Sequence, residues 1–222
     1  SDLPAESRRA VEEQVAGHPL KFHWYDFKGF LPANLPVCGH FVPHVYARIL
    51  APRLLPAEVR RFLYLDGDLL ILDGITELWN TDLQGAVIGA VPDMAVPHVS
   101  SLMGLRRFRE LGFQATDPYF NAGVYLADTA AWRARETGRL ALQYLDHHRD
   151  DVNLLDQDAL NAVLRGLWKP LDLRWNLISG LAGRPFFNPY EFDEEEYRGA
   201  LAEPGIVHFA GLLKPWVHPR IA

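Results

Sequence analysis

The stretch Arg61-Phe62-Leu63-Tyr64-Leu65-Asp66-Gly67-Asp68-Leu69-Leu70-Ile71-Leu72 sets two carboxylates, one residue apart, inside an otherwise apolar run. Phe62 to Leu65 has the length and apolar continuity of a short, fully buried strand. Asp66 and Asp68 would then stand at its carboxyl end, the side on which open α/β sheets bind ligands. Two like charges a few ångströms apart in a crevice repel, and a divalent cation neutralised in turn by phosphate oxygens removes that repulsion. Asp-Gly-Asp is also sound turn chemistry, so the segment by itself leaves a plain turn open.

Outward from this run, helix and strand signals alternate. Upstream, Pro4 stands where a first helical turn is entered, Val11 and Val15 repeat at helical spacing, and Gly17 is placed to stop the helix. Lys21 to Tyr25 is short and aromatic-rich and reads as a strand, followed by a Gly/Pro-punctuated loop over 29–39. Val45 to Leu55 predicts a helix carrying Tyr46 and Arg48. Downstream, Ala86 to Val91 predicts a second buried strand ending at Asp93, again with a carboxylate at the carboxyl end. Residues 94–117 are polar and basic in the middle (Arg106, Arg107, Arg109), which predicts a lid rather than core. Tyr119 to Leu126 is a third apolar strand signal, and Asp128 or Thr129 can cap one helix carrying Trp132, Leu140, Tyr144 and Leu145.

Two further clusters carry polar chemistry. In Leu154-Leu155-Asp156-Gln157-Asp158-Ala159-Leu160-Asn161, Asp156 reads as a helix N-cap with Gln157 and Asp158 in the first turn and Gly166 near the end. Acidic residues are favoured at helix N-termini in any case, so a capped helix alone accounts for this segment. In Ile206-Val207-His208-Phe209-Ala210-Gly211-Leu212-Leu213-Lys214-Pro215-Trp216, a histidine ends a short strand, a glycine lets backbone approach a ligand, and a lysine can reach a phosphate. His147 and His148 read as a solvated helix end.

At 222 residues, 49% of them hydrophobic and 23% charged, the chain fits one globular α/β domain. A net charge of −6 with no run of Lys or Arg excludes a nucleic-acid footprint. The single cysteine, Cys38, rules out an internal disulfide framework and fits a reducing compartment, so the cytoplasm is the default location. No segment reaches 18 uninterrupted apolar residues, and the N-terminus has no signal-peptide pattern.

Asp-x-Asp after an apolar strand, Tyr119-Phe120-Asn121-Ala122-Gly123, Asp156-Gln157-Asp158-x-Leu160-Asn161 and His208-Phe209-x-Gly211-x-x-Lys214-Pro215-Trp216, in that order, resemble the glycosyltransferase family 8 enzymes. The match runs from about Leu3 to Trp216, and Leu78-Trp79-Asn80-Thr81-Asp82-Leu83 also looks like the family, as a turn leading back into the sheet. These are retaining sugar transferases, among them lipopolysaccharide galactosyl- and glucosyltransferases. The resemblance implies a GT-A (Rossmann-like) mixed sheet flanked by helices, as a single domain over 1–222.

It also implies that Asp66, Asp68 and His208 coordinate Mn²⁺ bridging the two phosphates of a UDP-sugar. Carboxylates plus one imidazole suit Mn²⁺ over Mg²⁺ or Ca²⁺. Lys214 would contact the diphosphate with the Gly211 amide nearby, while Arg48, Asp93, Asn121, Ala122 and Gln157 would hold the donor, helped by Asp156 or Asp158. The implied reaction is transfer of glucose or galactose to an acceptor hydroxyl on a glycan or a lipopolysaccharide core. Gln157, an amide and a poor nucleophile, is the side chain placed near the sugar's far face, which favours same-face attack over the double displacement of retaining glycosidases. The resemblance further implies that about 30 to 40 residues forming a strand, a helix and a second strand precede this helix in the family, leaving the domain N-terminally incomplete. Peripheral contact with the inner face of a membrane would use a segment after Trp216, and an oligomer is left open.

Two other classes compete. A haloacid-dehalogenase-type phosphatase also uses Asp-x-Asp after an apolar strand, but wants Thr or Val where Leu70 stands. A non-catalytic nucleotide-sugar or carbohydrate-binding module would use the same residues as the transferase.

Overall fold

The computed structural model describes residues 3–32, 35, 43–182, 192–211 and 214–217. The chain opens with helix α1 (Ala5–Gln14), stopped as expected near Gly17, whose φ of +96° suits glycine. Residues 21–25 do not form the expected strand. They have no ladder partner among the described residues, and their aromatics use another solution: Phe22 and Trp24 stack at 5.9 Å, Arg8 lies over the Trp24 ring, and Trp24 Nε1 donates to Glu12. Of the loop over 29–39, residues 33, 34 and 36–39 lie outside the described residues. The helix expected over 45–55 is present as a 3₁₀ turn, Pro43–Tyr46, running into α2 (Ala47–Leu54).

Two sheets follow, and the Asp-Gly-Asp turn is the corner between them. Strand β1 (Arg61–Leu65) enters a four-stranded sheet, and β2 (Leu69–Ile71) enters a three-stranded one. Asp66 N–H still donates to Gly123 O on the first sheet, while Asp68 O already accepts from Phe209 N–H on the second. Strand β1 is half-buried along its length rather than fully buried, because it is the edge of its sheet and has one strand neighbour instead of two. A helix, α3 (Thr76–Asn80), rather than a bare turn, carries Leu78 into the core and leads to β3 (Ile88–Pro92). The central strand β4 (Phe120–Asp128) pairs antiparallel with β1 on one side and β3 on the other.

Asp128 caps α4 (Thr129–Ala134) by accepting from Ala131 N–H. The single long helix expected here is two: the chain breaks at Glu136, in a left-handed conformation with φ 53°, before α5 (Thr137–His147). Glutamate gives no sequence signal for that conformation; here Arg139 holds its carboxylate with two hydrogen bonds. His147 closes α5, and His148 packs its ring on Tyr144. Helix α6 (Asp156–Val163) leads to β5 (Trp168–Pro170), which lies parallel to β3. A 3₁₀ turn, Leu173–Asn176, feeds β6 (Leu177–Ile178), followed by α7 (Glu194–Ala202) and β7 (Ile206–His208). In the second sheet β7 is central, antiparallel to β2 and parallel to β6.

The central strand is packed on both faces. On one face Phe120, Ala122 and Tyr125 meet Tyr46, Ile49, Trp132, Leu145 and Leu160 from the helices. On the other, Val124 meets Leu78, Leu173, Trp175, Leu177 and Ile206 from the second sheet and its flanks. Helix α2, which carries Arg48, is held at its carboxyl end by Arg133 of α4, whose guanidinium donates to the carbonyls of Pro52, Leu55, Pro56 and Ala57.

Residues 94–117 are not a loose lid. They build a small core of their own, with Val96, Val99, Leu105, Phe108 and Phe113 buried against Tyr119. Arg107 pairs with Asp151 at 2.6 Å and Arg106 Nε donates to Asn153. Irregular apolar spacing hid this cluster from a search for helical or strand periods.

Candidate active site

The ladder between β3 and β4 is irregular: Pro92 faces Phe120, yet Ala90 faces Tyr125. Backbone groups of residues 120–123 therefore need other partners, since buried amides are expensive to leave unpaired. Side-chain amides supply them. Asn161 accepts from Phe120 N–H and donates to Phe120 O, Gln157 Oε1 accepts from Ala122 N–H, and Asn121 Oδ1 accepts from Gly123 N–H. Gln157 and Asn161, four residues apart on one face of α6, thus replace the missing ladder. This explains why the Tyr-Phe-Asn-Ala-Gly and Asp-Gln-Asp segments occur together in one chain.

Asp93 is the hub of the same network. Its Oδ1 accepts from the amides of Ala95 and Val96, and its Oδ2 from Asn121 Nδ2 at 2.9 Å and Gln157 Nε2 at 3.0 Å. Those four donors fill a carboxylate's usual capacity.

At the corner between the sheets, Asp66, Asp68 and His208 bring one ligand atom each within 4.8 Å of one another. His208 Nε2 lies 3.3 Å from Asp68 Oδ1 and 3.9 Å from Asp66 Oδ2. Gly123 makes this approach possible: a Cβ there would sit 2.4 Å from His208 Cε1 and 2.9 Å from Asp66 Oδ2. Two oxygens from the Asp-Gly-Asp turn and one imidazole nitrogen from the end of β7 suit a divalent cation.

Around the cluster the charges alternate. Arg48, buried, pairs with Asp66 at 2.7 Å and places Nε 3.0 Å from Asp156 Oδ2, an ion pair without hydrogen-bond alignment. Tyr64 OH donates to the same Asp66 oxygen as Arg48 and lies under its guanidinium. Lys214 Nζ pairs with Asp68 and donates to Phe209 O at 2.6 Å. Gly211 holds a φ of +94°, a backbone that a side chain would strain.

The helix start differs by one residue from expectation. Leu155, not Asp156, occupies the cap position, and Asp156 is the first helical residue. Asp158 turns away from the cluster: it accepts from Tyr119 OH at 2.5 Å and from the amides of Asn153 and Leu154. Those bonds anchor the loop before α6 rather than reach toward a ligand. Thus Asp66, Asp68, His208, Lys214, Arg48 and Asp156 form one connected group, and Asp93, Asn121, Ala122 and Gln157 a second beside it. Tyr64, Gly123, Asn161 and Asn176 were not assigned roles from the sequence. Gly123 and Asn161 lie inside the quoted motifs; Tyr64 and Asn176 carry no sequence signal, because their partners are distant in the chain.

Titration follows from burial. Burial raises the Asp158 carboxyl to about 6 against the hydrogen bonds from Tyr119, Leu154 and Asn153, and raises that of Asp156 against the opposing charge of Arg48. For Asp68, burial also acts upward, but its interactions with His208 and Lys214 outweigh it and hold the carboxyl well below its ordinary 3.8. A raised folded-state value contributes stability that is complete below the unfolded value and lost as pH rises through the folded one. A depressed value contributes stability that is lost as pH falls below the unfolded one. Without added metal, the chain is therefore expected to be most stable at about pH 4 and to lose stability as pH rises from there through about 6, with Asp158 alone worth up to about 3 kcal/mol. Urea unfolding from acidic to mildly alkaline pH checks this; stability that keeps rising past neutrality contradicts it.

Residues 16–219 match the sequence profile described as Glycosyl transferase family 8. The chain belongs to glycosyltransferase family 8. Within the family it is 32% identical over 219 residues to General stress protein A of Bacillus subtilis (strain 168), covering 96% of this chain and 73% of that protein. It is 28% identical to the lipopolysaccharide 1,2-glucosyltransferase of Escherichia coli (strain K12), covering 78% of this chain and 48% of that enzyme. The crystal structure of galactosyltransferase LgtC in complex with donor and acceptor sugar analogs superposes with a TM-score of 0.76 at 26% identity, covering 96% of this chain and 75% of LgtC. The mixed sheets flanked by helices are accordingly the family 8 GT-A fold. Among the described residues no helix is long and apolar enough to cross a membrane.

Proposed function

We propose that this family 8 chain, as one GT-A domain over 1–222, transfers glucose or galactose from a UDP-hexose to an acceptor hydroxyl on a glycan or a lipid-linked saccharide, with retention at the anomeric carbon. The observation that carries the reading is the convergence of Asp66, Asp68 and His208 at the corner between the sheets, with Lys214 beside them. The donor set and the Gly123 cradle fit Mn²⁺, held by these three residues. When bound, the cation supplies positive charge to both phosphates of the donor. Lys214 adds a mobile ammonium that can leave Asp68 for a diphosphate oxygen, so charge growing on the departing UDP meets a positioned donor. Arg48 keeps Asp66 aimed at the cluster, and Asp93 and Asn121 orient the sugar pocket around Gln157.

In the proposed step the bond from C1 to the diphosphate oxygen breaks, with its electron pair going to UDP. The acceptor oxygen bonds to C1 on the same face, and its proton passes to a departing phosphate oxygen. Supporting this route, the carboxylates around Gln157 are already committed: Asp93 to four N–H donors, Asp156 beside Arg48, and Asp158 to three donors. Radiolabelled UDP-glucose and UDP-galactose, with Mn²⁺ and a panel of saccharide acceptors, test the reading. UDP release with an α-linked product is expected. Release of inorganic phosphate would indicate a phosphatase, and binding without release of either a carbohydrate-binding module.

A further inference from the structure

We propose that Asn176 is a positioning residue that fixes the tautomer of His208 and ties the cation cluster to the sugar-side residues through one directed hydrogen-bond chain. The inference rests on the assignment of Asp66, Asp68 and His208 as cation ligands. Its starting point is a backbone amide. Gly123 N–H can only donate, so the Asn121 atom 2.9 Å from it is the side-chain oxygen. The Asn121 NH₂ then faces Asp93 Oδ2, an acceptor. Asn176 approaches that same Asn121 oxygen at 2.9 Å, so it presents its own NH₂ there and turns its oxygen to His208 Nδ1, also at 2.9 Å. An oxygen acceptor on Nδ1 requires that Nδ1 carry the proton. Neutral His208 therefore points the lone pair of Nε2 at the space between Asp66 and Asp68, as a metal ligand must.

The other end of the chain is fixed in the same way. Ala122 N–H selects the oxygen of Gln157, which sends the Gln157 NH₂ to Asp93 Oδ2. Two backbone donors of the central strand β4 thus set every amide between them, and flipping any one creates a donor–donor or acceptor–acceptor contact in a buried place. Asn176 is itself 1% exposed and is held from both directions. It ends the 3₁₀ turn begun under the Asp172 cap, and it precedes strand β6, whose Ile178 lies opposite His208. A ligand that shifts Gln157 or Asp93 must therefore act on the same chain that aims His208.

Nitrogen-15 NMR of the metal-free chain at alkaline pH, where imidazole is neutral, reads the tautomer directly, and calorimetric titration with Mn²⁺ alone reads its consequence. The wild type is expected to show His208 protonated on Nδ1. Asn176→Leu should give a tautomer mixture and weaken Mn²⁺ binding about 10- to 100-fold, the usual cost of losing a partner of a metal-bound histidine. Asn176→Asp keeps an acceptor for Nδ1 and should restore the tautomer, at a cost in stability because its second oxygen faces Asn121 Oδ1. Leu145→Ala, a cavity in the helix-side core away from this hydrogen-bond chain, should lower the melting temperature without moving either readout. His208 protonated on Nε2 in the wild type overturns the proposal without need of any variant. So does a folded Asn176→Leu variant that keeps both the tautomer and the Mn²⁺ affinity. If the wild type binds no Mn²⁺, the cation assignment falls, and the tautomer in wild type and Asn176→Leu still decides whether Asn176 positions His208.

Discussion

Gly123→Ala is expected to abolish Mn²⁺ binding and to destabilise the fold by about 1–3 kcal/mol, the typical cost of forcing extra volume into a packed site. The added methyl would stand 2.4 Å from His208 Cε1, 2.9 Å from Asp66 Oδ2 and 3.0 Å from Asn121 Oδ1. The backbone has little freedom to withdraw, because Gly123 N–H donates to Asn121 and its carbonyl accepts from Asp66 N–H. Either His208 or Asp66 must move, and each is placed by a separate element. Mn²⁺ titration together with urea unfolding measures both effects. A folded variant with wild-type Mn²⁺ affinity would show that the approach of His208 to Asp66 is not what shapes the site.

Asp68→Asn is expected to weaken Mn²⁺-dependent UDP binding about 100-fold or more, equivalent to about 2.7 kcal/mol, with a smaller loss of stability. Asparagine keeps the shape of the turn but removes the charge that faces His208 Nε2 and Lys214. Because that carboxylate is partly open to solvent, solvent screens its pairing with Lys214, and the loss of stability is smaller than the loss of binding. His208→Ala should weaken binding as strongly, but it also costs stability. His208 is 3% exposed, and its removal leaves a cavity and an unpaired Asn176 oxygen. The two variants therefore separate ligand loss from fold loss. Asp68→Asn with undiminished Mn²⁺-dependent binding would remove this residue from the ligand set.

What could be read from the sequence was local. The apolar runs behind Asp66 and Asp93, the strand over 120–126, the α6 face and the strand ending at His208 each announce themselves within a few residues. The division into two sheets did not, because β2 and β6 are three and two residues long and no periodicity registers at that length. Residues 21–25 looked like a strand by composition, but strand propensity means fitting a paired surface, and these aromatics found each other and Arg8 instead. The candidate site was legible only as residue types in order. Its supporting parts were not: Gly123 is required by a side chain from position 208, and Asn176 joins residues 121 and 208. Asp158 sits beside Gln157 in sequence, yet one helical residue turns it by about 100°, toward Tyr119 and the preceding loop. Adjacency in sequence placed it among the candidate site residues; the helix turns its carboxylate to other partners.

Calorimetric titration of UDP into the chain, with and without Mn²⁺, tests the central claim most directly. If Asp66, Asp68 and His208 hold a cation that receives the diphosphate, UDP binds at least about tenfold tighter with Mn²⁺ present, a gain of about 1.4 kcal/mol. Equal UDP affinity with and without Mn²⁺ would contradict it.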